Sequence, residues 1–202
     1  MLTVLVLYYS RNGSTAELAR HVCRGVESVT GVTASLRTVP ALTTAIEAPR
    51  AQVPSSGPPY AGHAELASCH GLILGSPTRF GNMAAPLKHF LDGTSGAWVA
   101  GHLVGKPAAV FTSTSALHGG HESTLLSMML PLLHHGMVIV GLPFTEPALT
   151  RTRRGGSPYG AGTIGGVDGG GGGVTEDEKL LAQLLGRRVA EVALRLAPPA
   201  PG

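Results

Sequence analysis

The sequence predicts an α/β fold, a doubly wound five-stranded parallel sheet with helices on both faces. Three observations predict it. Along the 202 residues, short apolar runs of strand length alternate five times with helical patterns. The runs are near-continuous in Val, Leu, Ile and Ala, as in strands covered on both faces. Three polar loops, at 10–15, 76–82 and 113–120, each follow the end of such a run, at the rim where ligands collect in a sheet of this kind. The length is that of a single domain, 1–202, with long loops at about 40–62 and 143–173.

The first strand, about residues 3–9, is the apolar run Val4-Leu5-Val6-Leu7-Tyr8-Tyr9, which marks a central strand. From Ser14 to about Ser28, Leu18, Val22 and Val26 recur every fourth residue and draw an amphipathic helix. Val32 to Val39 alternates well enough for a second strand. Pro40 to Gly62 is rich in proline and reads as a surface excursion with one short helix near Ala41–Ala48. Gly71-Leu72-Ile73-Leu74-Gly75 is a third strand, followed by the loop at 76–82 and a helix from about Met83 to Leu91.

Pro107 to Thr112 makes the fourth strand, and His121 to His134 the next helix, with Pro131 kinking it or opening its last turn. Met137 to Leu142 is the fifth strand. Residues 143–173 hold too many glycines and prolines for a regular element, and 169–173 are all glycine, a run whose ordering is entropically expensive. The final helix spans about Thr175 to Leu196, capped by Thr175 with Glu178 completing a capping box.

Composition narrows the function. Charged residues make up only 13%, against roughly 25–35% on a freely soluble surface, so part of the exterior is expected to lie against other subunits. The formal charge is +3 with no aromatic-interleaved basic stripe, which gives nucleic-acid binding no support. Cys23 and Cys69 form no CxxC pair and suit a reducing cytoplasm as inert core thiols. No basic n-region precedes the first apolar run and no stretch approaches the ~18 apolar residues of a membrane span, so a cytoplasmic location without membrane insertion is expected.

The loop Ser10-Arg11-Asn12-Gly13-Ser14-Thr15 leads a buried strand into a helix start rich in hydroxyls. Unpaired amides at such a start, with Ser and Thr hydroxyls, make a cradle for a phosphate dianion. The loop is too short for a nucleoside-triphosphate loop and lacks the closely spaced glycines of a dinucleotide fingerprint. A mononucleotide phosphate fits best, with flavin mononucleotide (FMN) the leading candidate; the alternative is an ordinary βα turn capped by Ser14. The second loop combines Pro77 for stiffness, Thr78, Arg79 and Asn82 for polar contacts, Phe80 for a flat apolar surface and Gly81 for close approach. A ring bearing carbonyls and N–H groups wants that mixture, and Arg79 is either a source of positive potential beside it or a solvated side chain.

Trp98 is the only tryptophan, in a run of small residues. It is either a lid stacking on an aromatic substrate or an anchor for its loop or a subunit contact. His118 and His121 start a helix whose end carries His134 and His135. The separation of roughly 20 Å rules out a mononuclear metal site shared between the two pairs. His134 either reaches a neighbour's site across an interface or helps cap its helix. No aspartate ends the first strand as in a receiver domain, and no cysteine-phosphatase loop or Gly-x-Ser-x-Gly elbow is present.

Together, Val4 to Ser10, the run Gly75-Ser76-Pro77-Thr78-Arg79-Phe80-Gly81-Asn82-Met83, Phe90-Leu91-Asp92, His134-His135-Gly136-Met137-Val138-Ile139-Val140 and Gly156-Ser157-Pro158-Tyr159-Gly160-Ala161 resemble the WrbA family. These are flavodoxin-like, FMN-dependent NAD(P)H:quinone oxidoreductases, and the match runs over nearly the whole chain. The resemblance implies strand order 2-1-3-4-5. It implies FMN phosphate on Ser10 to Thr15, the isoalloxazine edge on Thr78 to Phe80, and the other side of the ring on Ser113, Thr114, Ser115, Ala116, Leu117, His118 and Gly119. It places His134 near the flavin, Trp98 near bound quinone and Asn12 at a nicotinamide-dinucleotide contact, a position that is often tyrosine in relatives.

The family is tetrameric, with active sites lined by more than one subunit. The implied reaction is a ping-pong, two-electron reduction of quinones to hydroquinones with NADH or NADPH as co-substrate. His134 is the one candidate for a catalytic part, as a donor to the quinone oxygen, with water the other source of the proton. The alternatives are a one-electron flavodoxin-type carrier and a non-enzymatic FMN-binding interaction protein.

Overall fold

A computed structural model describes residues 1–42, 54, 56–165 and 173–197. Five strands, β1 (Leu2–Tyr8), β2 (Val32–Thr38), β3 (Gly71–Arg79), β5 (Pro107–Thr114) and β6 (Val138–Ile139), pair in parallel in the order β2-β1-β3-β5-β6. β4 (Asn82–Met83) pairs antiparallel with the end of β3, and β7 (Ala161–Ile164) pairs parallel with β5. The five-stranded path is the one expected from the sequence.

Strand alternation sends side chains to two cores. Val4, Val6, Tyr8, Ile73 and Phe111 pack under α1 (Ser14–Glu27) and α7 (Glu176–Leu196). Leu5, Leu7, Leu72, Leu74 and Val110 face the opposite way, against α3 (Ala85–Asp92) and α5 (His121–His134). Covered on both sides, β1, β3 and β5 have no reason to alternate polar with apolar residues, which is why they read as continuous apolar runs. The α1–α7 crossing is unusually close. A Cβ on Gly25 would sit 1.9 Å from the Gln183 carbonyl oxygen and one on Gly186 2.1 Å from that of Val22, so a side chain at either position must push the two helices apart.

The structure departs from expectation in several places. The fifth strand is split. β6 pairs with Pro107 and Ala108, whereas β7 pairs with Phe111 to Thr114 on the same side of β5. The chain leaves the sheet after Ile139, forms α6 (Pro147–Arg151) and returns at Ala161, so the span 143–173 is not wholly irregular. β3 continues through Ser76 to Arg79 instead of ending at Gly75, and the stretch around Trp98 is a short helix, α4 (Ser95–Val99). α2 (His63–Ser68) is a further short helix that the sequence pattern does not signal; Glu65 holds its start by accepting from the Gly62 amide at 2.6 Å. Residues 43–48 of the helix expected near Ala41–Ala48 lie outside the described residues, as does 169–172 of the glycine run.

Candidate functional site

Because β1, β3 and β5 are parallel neighbours, their carboxyl ends share one rim. β1 stops pairing with β3 at Tyr8–Gly75, yet β3 stays paired with β5 through Pro77–Ser113 and runs on to Arg79 against β4. A crevice therefore opens past the end of β1, where the winding of the sheet reverses. On the β1 side of that extension nothing needs an N–H from Pro77, so the proline is tolerated in a central strand.

The crevice holds a cavity of about 420 Å3 lined by Ser10, Arg11, Asn12, Ser14, Thr15, Pro77, Thr78, Arg79, Ser113, Thr114, Ser115 and Gly165. Eleven of these come from the three loops singled out in the sequence; Gly165 does not. Seven carry hydroxyls, two are arginines and none is a carboxylate, a lining suited to an anion. The cap of α1 differs from the serine cap of an ordinary βα turn. Gly13, at φ 92°, is the N-cap of α1, and no side chain caps the helix. Ser14 is already inside the first turn, so the first amides of α1, at residues that line the cavity, lack the serine cap that an ordinary βα turn would supply. The Ser10 hydroxyl instead accepts from the Gly13 amide at 3.2 Å, fixing the loop from the strand side.

Hydroxyls also join the three loops. Thr15 and Ser113 share a buried hydrogen bond of 2.8 Å between α1 and β5. Thr78 bonds Thr124 at 2.7 Å, tying β3 to α5. Thr114 donates to the Ala116 carbonyl at 2.6 Å, so its oxygen takes the N–H of His121 Nε2 at 3.0 Å. That leaves His121 Nδ1 buried with no hydrogen-bond partner among the described residues. Burial pushes the His121 pKa down, against the smaller pull of Glu122 and Glu178.

Phe80 and Gly81 form the two-residue turn between β3 and β4, both with positive φ, 52° and 77°. Such turns match the twist of the flanking strands, but a phenylalanine there is strained. Its ring projects entirely into solvent, one residue beyond Arg79 of the crevice lining. Asn82 uses its side-chain oxygen to accept from the Met83 amide at 2.8 Å. Ala116, Leu117 and His118 are exposed in the loop after β5, which Gly119 closes by donating to the Ala116 carbonyl at 3.0 Å.

His134 and Trp98 lie elsewhere. Both line a second cleft of about 370 Å3 with Lys88, Leu91, Asp92, Thr94, Ser95, Pro131 and His135. It sits at the far end of α5, roughly 15–20 Å along the helix from the residues that touch the first crevice. His135 is buried and mirrors His121: its Nε2 meets Thr94, whose hydroxyl donates to Leu91, and burial lowers its pKa, with His134 adding a smaller effect.

A family model described as NADPH-dependent FMN reductase matches residues 2–145. Curated proteins named NAD(P)H dehydrogenase (quinone) from Solidesulfovibrio magneticus and Geotalea daltonii are 44% and 43% identical to this chain. The alignments cover 96% of this chain in both cases, and 99% and 98% of those proteins. Among solved structures, the flavodoxin, WrbA-like protein from Agrobacterium tumefaciens superposes with a TM-score of 0.65 at 23% identity, covering 98% of this chain and all of the other. A flavodoxin from the domain Archaea gives 0.63 at 18% identity, with 96% and 99% covered. The likeness to these two structures is one of fold, and the architecture is flavodoxin-like.

Proposed function

The chain belongs to the NADPH-dependent FMN reductase family, and from that premise we propose that it is an FMN-dependent NAD(P)H:quinone oxidoreductase, one flavodoxin-like domain over 1–202. The observation that carries this is the first crevice: an uncapped helix start and seven hydroxyls at the ends of three parallel strands, with no carboxylate among the lining residues. It supports FMN with the phosphate on Ser10 to Thr15. When bound, FMN supplies hydride acceptance from NADH or NADPH and two-electron delivery to a quinone.

The chain's own residues bind, orient and screen. Ser10, Ser14 and Thr15, with the first amides of α1, hold the dianion, and Arg11 adds positive charge at the mouth. Pro77 to Asn82 form one wall for the flat ring, where Arg79 sets a positive potential and Phe80 offers an aromatic face. The segment 113–119 forms the other wall. Asn12 lies on the nicotinamide side. No side chain needs to form a covalent bond, because alignment in a narrow slot lowers the barrier by itself.

Trp98 and His134 serve quinone binding from a neighbouring subunit, since their cleft lies too far along α5 to serve the crevice of their own chain. The exposed Leu126, Leu130 and Leu133 on α5 support a homo-oligomer, a tetramer in this reading. His134 donates a hydrogen bond to the quinone oxygen. A cytoplasmic location is supported by Cys23 and Cys69, both free and buried, which suit a reducing compartment.

Steady-state turnover tests the reading. Oxidation of NADH or NADPH by benzoquinone, measured on FMN-loaded protein at several fixed quinone concentrations, is expected to give parallel double-reciprocal lines, the mark of a ping-pong cycle. Absence of turnover with either nucleotide contradicts it.

A further inference from the structure

We propose that Glu178 is a positioning residue for the phosphate end of the crevice, acting through the backbone of Ile164 and Gly165; the proposal rests on the reading of that crevice as the FMN site. Glu178 is wholly buried, and its carboxylate accepts four hydrogen bonds. Oε1 takes the amides of Gly155 at 3.1 Å and Ile164 at 3.3 Å; Oε2 takes the Thr163 hydroxyl at 3.0 Å and the Thr175 amide at 2.8 Å. Arg154 Nε lies 3.6 Å from Oε1, and the same guanidinium bonds the Ile164 carbonyl.

A capping box needs only the Thr175 amide, and it works at an exposed helix start. Burying a carboxylate is costly unless it is fully bonded. The three further donors therefore mark a second task, and all lie on the segment that returns to the sheet as β7.

That task is visible one residue beyond Ile164. Gly165 lines the crevice and donates to the Thr114 carbonyl at 2.7 Å. A Cβ built on it would fall 2.3 Å from Ser14 Oγ, so its bare backbone is seated on the first serine of α1. Its place sets where that hydroxyl stands. β7 has four residues and pairs along one side only, with β5. Its carboxyl end is held by the Thr114 bond on one side and the Glu178–Arg154 pair on the other. Glu178 thus fixes the back wall of the phosphate cradle from behind, without touching the ligand.

Glu178→Gln tests this, because an amide nitrogen cannot accept and either orientation turns it toward two of the four donors. Dissociation constants for FMN and for riboflavin, which lacks the phosphate, are measured by flavin fluorescence on apo-protein well below its thermal midpoint. The expected result is FMN binding weakened about tenfold, the equivalent of one lost hydrogen-bond contribution, with riboflavin binding unchanged. A lowered thermal midpoint with unchanged FMN affinity, or an equal loss for both flavins, overturns the proposal. Should the variant not fold, Thr163→Val removes one donor at constant shape and is expected to show the same selectivity at about threefold; equal effects on both flavins, or none, overturn it there. Wild-type protein that binds neither flavin overturns the cofactor reading itself, and this proposal with it.

Discussion

The indole N–H of Trp98 donates to the carbonyl of His134 at 2.8 Å. The carbonyls in the last turn of a helix lack an intrahelical partner, and the Val138 amide is engaged with Lys106 instead. Trp98 therefore ties α4 to the end of α5 and holds its own half-exposed ring over the second cleft, beside the His134 imidazole. Trp98→Phe keeps an aromatic ring and removes the donor. The quinone KM is expected to rise several-fold while FMN affinity stays unchanged, as steady-state kinetics and a flavin titration will read. An unchanged KM would separate this cleft from quinone binding.

Thr15 and Ser113 hold the start of α1 against the end of β5 through one buried hydroxyl pair. Thr15→Val leaves the Ser113 hydroxyl buried without its partner, a cost of about 1–3 kcal/mol. Urea unfolding of the apo-protein is expected to lose that much stability, and FMN affinity should fall with it. Thr15→Ser, which keeps the hydroxyl, should retain most of both.

His121 is buried with its pKa lowered chiefly by desolvation. The native state thus holds it neutral where the unfolded chain takes up a proton. Its contribution is present above the ordinary histidine value of about 6.5. It is lost as pH falls below that value, until the lowered native pKa is passed. His21 and His135 are shifted the same way by burial and add to the trend. The thermal midpoint is expected to fall between about pH 7 and 5.5, and less steeply in His121→Gln. Equal slopes would show that His121 does not contribute.

Gly186 sits where α7 crosses α1, and an added methyl would meet the Val22 carbonyl. Gly186→Ala gains helix propensity but must push the two helices apart. Overpacking wins, with a net loss of about 1–3 kcal/mol in chemical denaturation. A stabilised variant would mean that the helices separate freely.

Much of this was legible in the residues themselves. Val4 to Tyr8, Leu72 to Leu74 and Ala108 to Phe111 are apolar on both faces, so their status as central strands could be read from composition alone. The three loops after them could be placed on one rim by topology. The elements that escaped notice lack such a signal. β7 is Ala-Gly-Thr-Ile, held by backbone approach: a Cβ on the preceding Gly160 would lie 2.1 Å from the Val110 carbonyl oxygen. Gly165 enters the crevice only because that strand pairs with β5 after a long excursion, a non-local event that no local pattern records. α2 and α4 are too short for periodicity to appear. Glu178 announced itself as a cap, and only its burial reveals the larger network.

Anaerobic stopped-flow spectroscopy of the FMN-loaded protein tests the central claim most directly. Mixing with NADH or NADPH should bleach the flavin absorbance in a single turnover, and a second mixing with benzoquinone should restore it in one two-electron phase. A flavin that neither nucleotide bleaches, or a bleached flavin that benzoquinone fails to reoxidise, would contradict the account.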